Sequence, residues 1–460
     1  MIEKDTIAAV ATPPGMGGIG IVRVSGPKAL DIGSSLFRPS RSVSLYESHR
    51  LYHGHVVERQ TDTVVDEVLF SVMYGPHSFT GEDTVEINCH GGPLIVSTVL
   101  DSFLAAGARP AEPGEFTKRA FLNGRLDLSQ AEAIADVITA KTRQGLEYAR
   151  SQLAGALSET VHDLRAQLID MLAELEASID FSHEDLVGDM PTGDVQKSMT
   201  TVIDDLTALH ESFRQGALFR DGLSLLIVGK PNGGKSSLMN RLAGQDRAIV
   251  TDIPGTTRDC IETGMDVGGI PVTVIDTAGI REAGDIIEEE GIRRVWKKAA
   301  SADLIILLFD GSTPLSDDDR AVVKRIGNKT AVAAVNKSDL PQRTSLDEAG
   351  MLLPGVEVVA VSAKYGDGMD ELKEAIRRCI FRDIGERRSD VVLTSTRHRE
   401  AVARAQMLLQ EARAHLADAH SPVFSAQDVR EALDELGDIV GLTTSEDVLG
   451  KIFSRFCIGK

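Results

Sequence analysis

Gly229-Lys230-Pro231-Asn232-Gly233-Gly234-Lys235-Ser236 decides how the middle of this chain folds. The spacing G-x-x-x-x-G-K-S is that of a phosphate-binding loop. Leu223-Ser224-Leu225-Leu226-Ile227-Val228 before it reads as a buried strand, and Ser236-Ser237-Leu238-Met239-Asn240-Arg241-Leu242 opens a helix behind it. Strand, glycine loop and helix N-terminus together aim backbone N–H groups at an anion. Lys235 is expected to reach the outer phosphates and the Ser236 hydroxyl to hold magnesium. Asn232, Gly233, Gly234 and Ser237 complete the expected cradle.

Three more motifs follow in a fixed order. Asp276-Thr277-Ala278-Gly279 comes after the alternating run Val272-Thr273-Val274-Ile275. A carboxylate at that strand end can hold magnesium through water, and the Gly279 N–H can meet a γ-phosphate. Asn336-Lys337-Ser338-Asp339 follows the apolar run 331–335. Asp339 can accept both N1–H and the exocyclic amine of guanine. Adenine has an acceptor and no amine there, which would leave a buried carboxylate unpaired. Ser362-Ala363-Lys364 follows Val358-Val359-Ala360-Val361 and is expected to donate a backbone N–H to the guanine carbonyl. Together the four motifs point to GTP and away from ATP.

Between the first and second motifs lies Gly255-Thr256-Thr257-Arg258-Asp259. Thr257 is expected to complete the magnesium shell when GTP is bound, in a loop that orders on the γ-phosphate and relaxes after hydrolysis. The hydrolytic machinery departs from the Ras pattern, in which a glutamine after the D-x-x-G glycine orients the attacking water. Here Ile280 stands there and cannot hydrogen-bond water. A carboxylate of the run Glu288-Glu289-Glu290 can swing in, or the run is a solvated helix start, since acids suit a helix N-terminus. The Asn232 oxygen can ligate a monovalent cation where other GTPases place an arginine, or Asn232 simply tolerates the turn.

At 460 residues the chain is long enough for two to four domains, and 42% hydrophobic residues suffice for real cores. The net charge of -20 argues against a dedicated nucleic-acid clamp, and 4% aromatic residues argue against an extended base-stacking platform. Any RNA therefore needs a local patch or a partner. Cys89, Cys260, Cys379 and Cys457 are scattered and form no zinc or disulfide pattern. No long apolar span or secretory start is visible, so a cytoplasmic protein is expected.

Residues 1–118 read as α+β, with strands at 19–24 and 84–89 and a helix from Pro93 to Ala106 after the Gly91-Gly92 turn. From Leu126 the texture becomes helical. One or two very long helices are expected over 131–179, a break at 189–193 and a further helix over 195–216. Helices are expected again over 397–419, 426–436 and 445–456, with Ser425 and Thr444 as N-caps. The economical arrangement is one helical domain (119–221 and 384–460) with a GTPase domain (222–383) inserted into it, the alternative being two separate helical modules.

The whole length resembles the tRNA-modification GTPases of the MnmE (TrmE) type. The resemblance rests on Ala11-Thr12-Pro13-Pro14-Gly15, on Thr80-Gly81-Glu82-Asp83 through His90-Gly91-Gly92, and on Pro113-Gly114-Glu115-Phe116-Thr117. Phe121 through Leu128, Gln130 through Ile134, the G motifs and the terminal Phe456-Cys457-Ile458-Gly459-Lys460 extend it. It implies a multidomain α/β and α protein: an α+β N-terminal domain that binds a formyl-tetrahydrofolate and makes a homodimer, a helical domain, and an inserted Ras-like P-loop GTPase. It matches Arg23, Glu82 and Lys460 to the folate contacts, with Arg125 where many members carry lysine. It matches Asn232, Thr251, Ile253 and Thr256 to potassium ligands and Glu288 to the glutamate that orients water. Lys235, Arg258 and Glu288 are the expected catalytic residues. It also implies a flavoprotein partner (MnmG, or GidA), in a heterotetramer or larger complex, and tRNA modified at C5 of the wobble uridine with an aminomethyl-type group. On the same ground the Cys457 thiol has a chemical role, or Cys457 is simply a small, partly buried terminal residue. A ribosome-assembly GTPase would share the G motifs but has no use for the folate-like N-terminus or the C-I-G-K end.

Overall fold

A computed structural model describes residues 5–59, 61–180, 192–245, 262–275, 296–297, 299–382, 391–417 and 422–460. The N-terminal part is built on strands whose alternate residues are apolar. β1 (Ile7–Val10) pairs antiparallel with β2 (Gly20–Ser25), and α1 (Ala29–Leu36) follows. Then come β3 (Phe37–Pro39), β4 (Leu51–Val57), β5 (Val64–Met73) and β6 (Thr84–Cys89). α2 (Pro93–Ala105) starts with proline in its first turn, where the missing N–H costs nothing. β7 (Arg109–Pro110) and α3 (Glu115–Leu122) complete this part. The strands lie in the order β3-β4-β5-β6-β2-β1-β7. Val22, Val24, Phe70, Val72, Val85 and Ile87 bury one face beneath α1 and α2, as a period of two requires. That period turns Arg23 to the other face of β2.

The helical stretch beyond is more finely divided than the sequence predicts. Instead of one or two long helices there are three: α4 (Leu128–Thr139), α5 (Arg143–Leu153) and α6 (Ala156–Asp180). Thr142 accepts the Gly145 N–H at 3.1 Å and so restarts the chain at α5. Gly155, at φ +103°, stops it again before α6. α7 (Thr192–Asp221) overruns the expected 195–216 at both ends. Gly222 (φ +77°) then turns the chain directly into β8; a Cβ there would come 2.0 Å from the Pro271 carbonyl oxygen.

The G part runs β8 (Leu223–Gly229), α8 (Lys235–Gln245), β9 (Glu262–Val267), β10 (Ile270–Ile275), β11 (Leu304–Asp310), α9 (Asp317–Ile326), β12 (Ala331–Asn336), α10 (Leu346–Leu352), β13 (Val358–Ala360) and α11 (Met369–Phe381). Its sheet has the order β13-β12-β11-β8-β10-β9, parallel except for the edge strand β9. The central strands β8, β11 and β12 are apolar nearly throughout because helices cover both faces. The strands are therefore aligned, and the carboxyl ends of β8, β11 and β12 open toward one edge, where a doubly wound sheet takes its ligand.

α12 (Thr396–Ala417), α13 (Pro422–Val440) and α14 (Glu446–Phe453) close the chain. Ser425, expected as a cap, is buried inside α13, which begins at Pro422 because proline's fixed φ suits a first turn. Ser445 rather than Thr444 is the cap of α14; the Thr444 hydroxyl donates to the Asp438 carbonyl instead. The chain forms two compact units, Met1–Ala135 with Leu153–Glu184 and Ser421–Lys460, and Asp136–Gln152 with Asp185–His420. α6 packs on α13 in the first, and α7 on α12 in the second. Among the described residues no helix is long and apolar enough to cross a membrane.

Candidate functional site

The loop between β8 and α8 is shaped by two left-handed residues, Asn232 (φ +63°) and Gly234 (φ +96°). Asn tolerates that region better than most side chains, and glycine enters it without strain. Lys235 folds back over the loop: its Nζ donates to the Gly229 and Lys230 carbonyls at 2.8 and 2.7 Å. Lys230 in turn pairs with the buried Asp319. Ser236 and Ser237 are exposed in the first turn of α8, at the positive end of the helix.

Asn336 ties this loop to the segment 362–364. It is buried; its Nδ2 donates to the Gly233 carbonyl at 2.8 Å and its Oδ1 accepts the Ala363 N–H at 3.0 Å. Gly234 passes so close that an added Cβ would come 2.2 Å from Asn336 Nδ2. Gly234→Ala is therefore expected to cost at least about tenfold in guanine-nucleotide affinity, through backbone strain and a displaced Asn336. Titration with a fluorescent GDP analogue checks this, and wild-type affinity would contradict the role given to the contact.

Asp339 accepts a hydrogen bond from the Ser362 hydroxyl at 2.7 Å. It is exposed, not buried as the sequence predicts, so any desolvation of its carboxylate must come from a ligand lying on it. Lys337 (φ +65°) extends to Asp310 Oδ2 at 2.6 Å. Burial opposes ionisation of Asp310, but the Lys337 ammonium and the Ser312 donors outweigh it and hold the carboxyl below its usual range. Asp310 is absent from the sequence-derived set. Its signal is a lone carboxylate closing the apolar run Leu304–Phe309, the position that Asp276 also takes after its own strand. The geometry thus brings Asn232, Gly233, Gly234, Lys235 and Ser236 together with Asn336, Lys337, Asp339, Ser362, Ala363 and Lys364. Thr251, Ile253, Thr256, Thr257, Arg258, Asp276, Thr277, Ala278, Gly279 and Glu288 lie outside the described residues. The described half fits a guanosine phosphate: a glycine-lined loop at one end, an acceptor carboxylate and the Lys364 backbone N–H at the other.

A second group of residues forms on the N-terminal sheet. Arg23 donates to Glu86 at 2.7 Å and to the Gly459 carbonyl at 3.4 Å, with the Phe79 and Phe116 rings each 5.8 Å from its guanidinium. Gly459 (φ +92°) lies against β1, where a Cβ would come 2.1 Å from the Val10 carbonyl oxygen. Glycine thus lets the chain end reach Arg23, leaving Lys460 half exposed and Cys457 exposed beside it. Glu82 accepts from Ser25 at 2.8 Å and from Arg119 at 3.1 Å. Arg119 is only 3% exposed and also pairs with Asp5 (2.6 Å) and Glu115 (2.9 Å). Burial opposes ionisation of Asp5 and Glu115, but Arg109 and Arg119 outweigh it and hold both carboxyls low. Arg125 is exposed and lays its stem near Gly81. Sequence reasoning missed Ser25, Glu86 and Arg119, because nothing local marks an arginine in α3 as the anchor of a loop carboxylate.

A family model described as the GTP-binding protein TrmE N-terminus matches residues 6–125, and one described as the MnmE helical domain matches residues 128–457. The chain is 49% identical over 457 residues to the tRNA modification GTPase MnmE of Syntrophus aciditrophicus (strain SB), covering 99% of this chain and 100% of that one. The chain belongs to the MnmE family of tRNA modification GTPases. Its likeness to the MnmE protein of Heliobacterium modesticaldum is 47% over 465 residues, 99% of each chain. With that of Syntrophotalea carbinolica it is 46% over 468 residues, 100% of each. As an MnmE-family member it binds and hydrolyses GTP and acts in the modification of tRNA.

Proposed function

We propose that this chain is a potassium-activated, magnesium-dependent GTPase that works with a flavoprotein partner on C5 of the wobble uridine of certain tRNAs. A tetrahydrofolate supplies the one-carbon unit of an aminomethyl or carboxymethylaminomethyl group. GTP loads at residues 232–237, 336–339 and 362–364, with Ser236 and Thr257 on magnesium and Asn232, Thr251, Ile253 and Thr256 on potassium. Glu288 orients the water, and Lys235 and Arg258 face the developing charge. Two G domains meet across a homodimer when GTP is bound, and the helices carry the change to the folate and flavin chemistry.

The observation that carries the one-carbon part is that β2 gathers distant groups: Arg23 meets the chain end at Gly459, and Ser25, two residues on, holds Glu82. A folate offers an acidic tail that guanidinium and ammonium groups bind and an amino-pyrimidinone edge that donates to a carboxylate. Arg23, Arg125 and Lys460 supply the first kind of partner. Glu82 is held by Ser25 and Arg119 donors as an acceptor and supplies the second. The net charge of -20 suits an enzyme whose partner carries much of the tRNA backbone binding.

The test is removal of the gene followed by mass analysis of wobble nucleosides in bulk tRNA, with the strain then complemented by wild type or by Arg23→Ala. The C5 group should vanish on deletion, return with wild type, and stay absent with Arg23→Ala although the purified variant still hydrolyses GTP. Full modification in the deletion strain would end the proposal; full modification with Arg23→Ala would end its folate part.

A further inference from the structure

Arg241 lies on the outward run of α8, half exposed, six residues beyond Lys235. Its guanidinium reaches a different segment of the G part. Nη2 donates to the Lys364 carbonyl at 2.5 Å and Nε to the Ala363 carbonyl at 3.4 Å. Gly366, in the left-handed region at φ +97°, packs beside it; a Cβ there would come 3.6 Å from the guanidinium.

Around this segment the backbone donors are almost all spent. The Ser362 N–H goes to the Asp367 carbonyl, Ala363 to Asn336 Oδ1, Tyr365 to the Ser362 hydroxyl and Gly366 to the Ser362 carbonyl. The Lys364 N–H has no such partner among the described residues. It belongs to the same peptide unit as the Ala363 carbonyl. That unit is planar and trans, so its oxygen and its hydrogen point to opposite sides. Whatever holds the oxygen therefore aims the hydrogen. A guanidinium offers several donors in a rigid fork, so one side chain can hold two successive carbonyls.

We infer that Arg241 is a positioning residue for base selection: by holding the Ala363 and Lys364 carbonyls it aims the Lys364 N–H at the 6-carbonyl of guanine. The inference rests on the reading of 336–339 and 362–364 as the guanine pocket. It couples the phosphate-loop helix to the base, so the two ends of the nucleotide site are set by one element. Arg241 acts through a peptide plane, by way of the Ala363 and Lys364 carbonyls.

The experiment uses the full chain and three diphosphates: GDP, IDP and the 2-aminopurine riboside analogue. GDP and IDP carry the 6-carbonyl; the third keeps the 2-amino group and lacks the carbonyl. Arg241→Ala should weaken GDP and IDP roughly tenfold, a typical coupling between sites, and leave the 2-aminopurine analogue nearly unchanged. Arg241→Lys, which can reach one carbonyl, should recover part of the loss. Equal weakening of all three would assign Arg241 to helix packing and overturn the inference, as would wild-type GDP affinity in Arg241→Ala. Asp339→Asn is titrated alongside with XDP. A gain for XDP upholds the pocket, so that failure of the Arg241 arms then overturns the positioning role alone. No gain would take down the pocket reading and this inference with it.

Discussion

Asp339→Asn is expected to lower the preference for guanine over xanthine nucleotides by about 100-fold, the scale of two charge-assisted hydrogen bonds exchanged for neutral ones. Xanthine differs from guanine at the 2 position, where a carbonyl replaces the amine. The asparagine amide donates to that carbonyl while its oxygen still accepts N1–H. The Ser362 hydroxyl, 2.7 Å from Asp339 Oδ1, can keep donating to the amide oxygen and hold it in place. The surrounding frame does not depend on the charge at 339. Asn336 keeps its bonds to Gly233 and Ala363, and Lys337 keeps Asp310. The variant should therefore fold and bind, with GTP turnover low and XTP turnover restored. Competition between GDP and XDP for a fluorescent nucleotide reads the ratio. An unchanged preference would contradict the role assigned to Asp339.

Glu288→Ala should lower GTP turnover by roughly 100-fold or more, within the range for losing a group that orients or activates water, and leave GTP affinity close to wild type. Ile280 is an apolar residue where a water-positioning glutamine would otherwise stand. A carboxylate must then come from elsewhere, and positive charge must stand at the phosphates for the leaving group. Asn232, held at φ +63° inside the loop, presents an exposed amide at the phosphate end. Exchange of potassium for sodium should slow the wild-type protein sharply, because the proposal gives potassium the charge-offsetting place beside the phosphates. Single-turnover hydrolysis measured in each salt separates the two claims. Wild-type rates in Glu288→Ala would remove the glutamate, and equal rates in both salts would remove the ion.

The phosphate loop was legible because it is a local device. A strand, a glycine turn and a helix start occupy consecutive residues, and the chemistry they perform is written in the same eight positions. The parallel sheet was legible for a similar reason, since strands buried on both faces must be continuously apolar. The helical region was misread where the breaks are subtle. An alanine- and leucine-rich stretch carries the period of a long helix, and the stops at Thr142 and Gly155 depend on a side-chain hydrogen bond and a single positive φ.

Sequence by itself thus determined the class of the fold, guanine as the base read, the order of the motifs and the family. Tertiary structure alone decided which distant groups complete each site. Asp310 meets Lys337 across 27 residues, Arg241 meets Lys364 across 123, Arg119 meets Asp5 across 114 and Arg23 meets Gly459 across 436. Such pairs leave no periodic or local trace. Their energy depends on two carbonyls, or a carboxylate and a guanidinium, arriving at hydrogen-bond distance, and only the packed sheet and helices set that distance.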